Sequence, residues 1–176
     1  ADMFAPYLPD AHFIAPNAPE MCEVNPMGFQ WFGLMDRNPT RMLEGVRRAS
    51  EVLNAYIDAQ LARLGLVDAQ LALIGFSQGT MTALHLALRR ARTMAGVVGF
   101  SGALIGPEAL GAEITARPPV CLIHGEDDEV VPFASLGHAE RALAAAGATF
   151  NDVVKQTTYV VNYQVEHRAI IADVRL

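Results

Sequence analysis

The sequence predicts an α/β fold, a mostly parallel sheet with helices on both faces. Short apolar runs at 12–15, 70–75, 95–100 and 119–123 alternate with amphipathic stretches at 40–64, 78–91 and 133–146. That alternation is the mark of parallel strands joined by right-handed crossover helices. The 176 residues, 52% hydrophobic and 18% charged, suit one domain with a buried core. No repeat, low-complexity tract or linker interrupts them, so residues 1–176 read as a single domain.

Taken in order, His12-Phe13-Ile14-Ala15 reads as a short strand closed by Pro16-Asn17-Ala18-Pro19. Residues 20–39 read as an irregular loop, because Gly28, Gly33 and prolines 19, 26 and 39 break any period. Thr40 is the expected N-cap of a long helix. Its apolar face runs Leu43, Val46, Ala49, Leu53, Ile57, Leu61 and Leu64, and Gly65 ends it. Strand 70–75, helix 78–91 and strand 95–100 follow. A Gly/Pro-broken loop at 105–118 leads to strand 119–123, and helix 133–146 begins after Val130-Val131-Pro132. Beyond Phe150 the Ala/Gly/Leu-rich character gives way to Val, Thr, Asn and Gln, with a strand expected only at 157–165.

Charge and composition exclude some functions. A formal charge of -6 and no basic cluster argue against a nucleic-acid partner. No apolar run approaches the roughly 20 residues that span a bilayer, so stable membrane insertion is not expected. Without a recognisable signal peptide, the expected location is cytoplasmic. Cys22 and Cys121 match no metal or redox spacing, and Cys121, in an apolar run, is expected buried and reduced. Neither metal nor cofactor is implied.

Gly75-Phe76-Ser77-Gln78-Gly79 carries the chemistry. It joins an apolar strand, Leu71-Ala72-Leu73-Ile74, to a helical pattern, the context in which a serine becomes a nucleophile. A sharp strand-to-helix turn forces a strained backbone. Glycines two before and two after the serine would let strand and helix approach without Cβ clashes. The turn lifts the hydroxyl clear of the sheet and aims helix N-terminal N–H groups at a developing oxyanion. The competing reading is an ordinary βα turn. A serine also needs a base, and the base an orienting carboxylate. Asp128, in His124-Gly125-Glu126-Asp127-Asp128-Glu129-Val130-Val131-Pro132, is the carboxylate candidate. Four consecutive acids would otherwise read as a solvated loop. Ser77, Ser101 and the acidic turn all fall just past strand ends, where ligands of parallel sheets gather.

Five motifs in order resemble the phospholipase/carboxylesterase family, α/β hydrolases similar to acyl-protein thioesterases. They are Pro16-Asn17-Ala18-Pro19-Glu20, Gln30-Trp31-Phe32, the Ser77 pentapeptide, Phe100-Ser101-Gly102 and the stretch from His124 through Asp128 to Pro132. The resemblance runs from residue 8 to residue 150, leaving 151–176 as a divergent tail. It implies an α/β-hydrolase fold that cleaves carboxylic ester or thioester bonds of small or lipid-like acyl groups, without cofactor. It further implies Ser77 as nucleophile, Asp128 as triad acid, the Gln78 backbone N–H as an oxyanion-hole donor and Trp31 as a wall of the acyl pocket.

Two departures stand out. The family's opening strand and His-Gly-x-Gly oxyanion loop would precede residue 1, so an N-terminally truncated fold is expected. Its missing strand would leave a free sheet edge, open to homodimer formation. The family's Gly-His turn past the acid is also missing. Of five histidines, His12 reads as structural and His85 lies about 12 Å along its helix from Ser77 at 1.5 Å per residue. His124 precedes the acid and His138 sits on the next helix. Only His167, in Val165-Glu166-His167-Arg168, follows the acid, so it is the candidate base, with a surface residue as the alternative. Losing one oxyanion donor costs about 10²–10³ in rate; losing the base costs about 10⁶. The expectation is therefore a serine hydrolase whose turnover from this chain is weak or absent. A catalytically impaired hydrolase-fold fragment and a non-enzymatic acyl-binding module are the alternatives.

Overall fold

A computed structural model describes residues 6–147 and the backbone of 153–159. Its centre is a four-stranded, fully parallel sheet of strands β3 (Ala72–Phe76), β4 (Gly96–Phe100), β5 (Val120–Gly125) and β6 (Val153–Tyr159), adjacent in that order. Before it stands a small antiparallel pair, β1 (Glu20–Met21) and β2 (Phe29–Gln30). Helices α1 (Pro39–Leu64), α2 (Gln78–Ala87), α3 (Pro107–Glu113) and α4 (Ala134–Ala145) fill the connections.

One core joins the four helices to one sheet face. Leu53 and Ile57 of α1, Leu84 and Leu86 of α2, Leu110 of α3 and Leu136 and Leu143 of α4 pack with Val97, Val120 and Leu122 of the sheet. The strands explain the one-sidedness. They are wound in a single direction, so right-handed crossovers deliver every connecting helix to the same side. The expected helical cover on both faces therefore appears on one face among the described residues. Ile74 and Phe76, alternating with buried Gly75, are 55% and 72% exposed.

Several element boundaries differ from the sequence reading. Asn38, not Thr40, caps α1: its side-chain oxygen accepts from Thr40 N at 3.0 Å, with Pro39 at the first helical position. Gly65 ends the helix as expected, at φ 67°. Helix α2 stops at Ala87, short of 91, because the Leu88 carbonyl turns to accept from Thr115 N at 2.9 Å. Residues 12–15 form no strand, and the loop read at 105–118 contains α3, opened by Pro107 and anchored by buried Leu110. Strand β6 begins four residues before the expected 157 and pairs with β5 from Val120↔Val153 to Gly125↔Tyr159. Cys121 is half-buried, not buried.

Polar groups brace the core. The Arg90 guanidinium bonds Asn54 and Asp58 of α1, both at 2.5 Å, and the buried carboxylate of Asp68. His85 is buried on α2, with no hydrogen-bond partner for its Nδ1 among the described residues. Burial, helped by Arg89 and Arg47 and opposed by Glu113, lowers its pKa to about 4. A lowered imidazole pKa means the unfolded chain binds the proton that the folded chain refuses. Stability should therefore fall as pH drops from about 6.5 to about 4, by up to about 3 kcal/mol. Urea midpoints across this window should slope accordingly in the wild type and flatten in His85→Gln.

Candidate active site

Ser77 sits between β3 and α2 at φ 50°, ψ -114°, a backbone that side chains avoid. What holds it there is packing on both sides. A Cβ at Gly75 would lie 2.5 Å from Gly79 C and from Thr80 N, so strand and helix touch backbone to backbone. Ser77 N–H donates to Phe100 O at 2.9 Å, extending the ladder one residue past β3. Thr80 wedges beneath: wholly buried, its hydroxyl donates to the same Phe100 carbonyl at 2.9 Å. The second glycine of the pentapeptide behaves differently. A Cβ at Gly79 would meet nothing within 4 Å among the described residues, so only Gly75 answers to the clearance argument.

The end of β4 repeats the arrangement. Ser101 has φ 45°, and its N–H donates to Ile123 O at 2.8 Å. The sequence marks Ser101 as a residue just past a strand end, but not what it lies against. Its hydroxyl lies on the Asp128 side and helps to favour the ionised carboxylate.

Asp128 is the inward member of the acidic run. Glu126, Asp127 and Glu129 are exposed, while the Asp128 side chain keeps 16% of its accessible surface. Its Oδ1 accepts from Val130 N and Val131 N, both at 2.9 Å. The Val131 N–H holds the carboxyl below its ordinary range against the cost of burial. Val130 N–H, Ser101 and nearby His124 add to the effect. The group is thus an ionised acceptor at neutral pH, the state an orienting carboxylate needs. His124 is a brace: its buried Nε2 lies 2.8 Å from Val131 O and 3.6 Å from Asp128 Oδ2, with its ring edge-on to Phe133.

Ser77 and Asp128 thus share one sheet edge. Phe76 pairs with Phe100 and Phe100 with Ile123, so Ser77, Ser101 and His124 stand on neighbouring strands. Adjacent strands lie about 4.8 Å apart. The turn that follows β5 carries the Asp128 carboxylate to the same edge, beside Ser101. His167 lies outside the described residues. Of the described histidines, His12 and His138 are exposed, His85 belongs to the core, and none hydrogen-bonds Ser77. Among the described residues no three His, Cys, Asp or Glu side chains gather to hold a metal ion.

Trp31 reaches the site through Gln78, which follows Ser77. Its backbone N–H donates to Gln78 Oε1 at 3.0 Å, and the indole packs on both hydrophobic clusters. The stretch read as irregular is well organised. Glu23 Oε2 accepts from Leu34 N at 3.1 Å and Met35 N at 3.3 Å, and Phe32 is fully buried against Gly45 of α1. Their sequence signal was faint, because such bonds follow no fixed spacing.

A profile of the phospholipase/carboxylesterase family matches residues 1–167. The chain belongs to this family. It is 35% identical over 92 residues to acyl-protein thioesterase 1 of Schizosaccharomyces pombe, covering 50% of this chain and 40% of that protein. It is 29% identical over 164 residues to the esterase YpfH of Escherichia coli, covering 90% of this chain and 67% of that protein. Thus the chain spans less than half of the first relative's length and about two thirds of the second's. Among solved structures, esterase PE8 superposes with a TM-score of 0.83 at 35% identity, covering 98% of this chain and 81% of that one. Zea mays acyl-protein thioesterase 2 superposes with a TM-score of 0.63 at 25% identity, covering 96% and 84%. The fold is accordingly that of an α/β hydrolase.

The two glycines of the family's serine motif should separate by experiment. Gly75→Ala forces Cβ into backbone atoms and should cost about 3 kcal/mol or more in urea unfolding, at the upper end of overpacking penalties. Gly79→Ala should be neutral or stabilising by up to about 1 kcal/mol, the gain expected for Gly→Ala in a helix. Equal losses in the two variants would contradict the packing described.

Proposed function

We propose that the chain is a serine hydrolase of carboxylic esters, acting through an acyl-enzyme on Ser77. The observation that carries the proposal is the shared sheet edge. A strained serine and an ionised, partly buried carboxylate lie just past the ends of β3 and β5 in one parallel sheet, on a member of an esterase-containing family.

In this reading Ser77 Oγ attacks the acyl carbonyl carbon while His167 takes its proton. The Gln78 backbone N–H, at the first position of α2, donates to the oxyanion. The tetrahedral species collapses as His167 returns the proton to the departing alkoxide. Water then repeats the cycle on the acyl-enzyme and frees the acid. Asp128 fixes the imidazole's tautomer and stabilises the imidazolium. Trp31 flanks the acyl chain. Substrates are esters of small or lipid-like acyl groups, and thioesters undergo the same displacement with a thiolate leaving. No metal or cofactor takes part. The reading keeps residues 1–176 in one domain, with a cytoplasmic location and with a homodimer as one open assembly state. No described helix is long and apolar enough to cross a membrane.

Hydrolysis of p-nitrophenyl butyrate by the wild type, Ser77→Ala and His167→Ala tests the assignment. A working triad should lose up to about 10⁶ in kcat with either substitution. Turnover that survives His167→Ala but not Ser77→Ala removes His167 as base. Turnover that survives Ser77→Ala removes the nucleophile. Absent turnover with tight binding of an acyl ligand would favour a binding module.

A further inference from the structure

The side chain after the nucleophile is committed elsewhere. While the Gln78 backbone faces the oxyanion position, its carboxamide reaches 47 residues back along the chain. Gln78 Oε1 accepts from Trp31 N at 3.0 Å, and Gln78 Nε2 donates to Phe32 O at 2.6 Å. A primary amide is suited to this, since it accepts and donates in one plane as a peptide group does. It holds the chain at the bend that follows β2, satisfying one donor and one acceptor of residues 31 and 32.

Those contacts converge on the site. Phe32 is buried in a cluster with Val46, Met81 of α2 and Val131. Val131 is the residue whose N–H holds the Asp128 carboxylate. The Trp31 loop, the serine helix and the acid turn therefore share one small core, and the Gln78 carboxamide is the polar link closing it.

We propose that the Gln78 side chain is a positioning residue for acyl selectivity: it fixes the Trp31 wall at a set distance from Ser77 and thereby decides which acyl chain lengths bind. This rests on the esterase reading above, but its structural half does not need turnover. The backbone N–H survives any substitution at 78, so the oxyanion donor and the wall are separable. Loss of the two bonds should loosen the wall, raising KM for chains long enough to touch Trp31. A two-carbon acyl group makes fewer contacts with the wall, so its KM should rise less.

Two variants and two readouts test this. Trp31 is the only tryptophan, so its emission reports the loop directly. In Gln78→Met the emission should shift to the red and acrylamide quenching should increase. KM for p-nitrophenyl octanoate should rise about 10-fold, the scale of one or two lost hydrogen bonds, and by several-fold more than KM for the acetate. Gln78→Glu gives a second test if Gln78→Met folds poorly. Ionised, the glutamate cannot donate to Phe32 O; protonated, it can. Trp31 emission in Gln78→Glu should thus return towards the wild-type value on acidification, while the wild type shows no such step. Unchanged emission and quenching in both variants would overturn the clamp. Altered emission with KM rising equally for acetate and octanoate would overturn the selectivity role. If no ester is turned over in a Ser77-dependent manner, the esterase reading fails, and the fluorescence still decides the clamp.

Discussion

The contact on which the site depends is the backbone-to-backbone approach of β3 and α2 at Gly75. With strand and helix this close, the chain has one residue in which to reverse direction, and that residue, Ser77, is driven to φ 50°. Such strain costs of order 1–3 kcal/mol and persists only where surrounding structure over-determines it. Here the over-determination is visible. Thr80 fills the space left by Gly99 and Gly102, where a Cβ would come within 2.4 Å of it. Phe100 O accepts from both Ser77 N and the Thr80 hydroxyl, so the elbow is fastened to the neighbouring strand.

The rest of the site is built outward from that fastening. Parallel pairing carries the strand ends forward together, so the strained serines at 77 and 101 stand side by side and the Asp128 turn folds back onto the second of them. Buried His124 secures the turn by bonding across it to Val131 O. Val131 in turn joins the Phe32 cluster, whose neighbour Trp31 is tied to Gln78. Asp128 and Trp31 are thus tied to one helix N-terminus by separate routes.

Much of this was legible in the sequence because it rests on local pattern. Strand-glycine-serine-glycine-helix specifies an elbow, and strand order with right-handed crossovers specifies which residues share an edge. Which of the four acids turns inward was legible only through the family resemblance, since the run by itself reads as a solvated loop. What was not legible depends on contacts between distant segments. Gln78 bonding residues 31 and 32, Ser101 lying beside Asp128 and Phe32 docking on Gly45 leave no periodic trace. The clearance argument for Gly79 failed because a motif does not reveal which of its glycines faces a neighbour. The helices fell on one face because single-direction winding, invisible in composition, puts them there.

Site mapping after reaction with a fluorophosphonate tests the central claim most directly. Folded and urea-unfolded protein would be treated alike, digested, and read by mass spectrometry for modified serines. Phosphonylation confined to Ser77 in the folded chain, leaving Ser101 untouched and vanishing on unfolding, is the expected result. Equal modification of Ser77 and Ser101, or labelling of Ser77 no faster folded than unfolded, would contradict a nucleophile made by the turn.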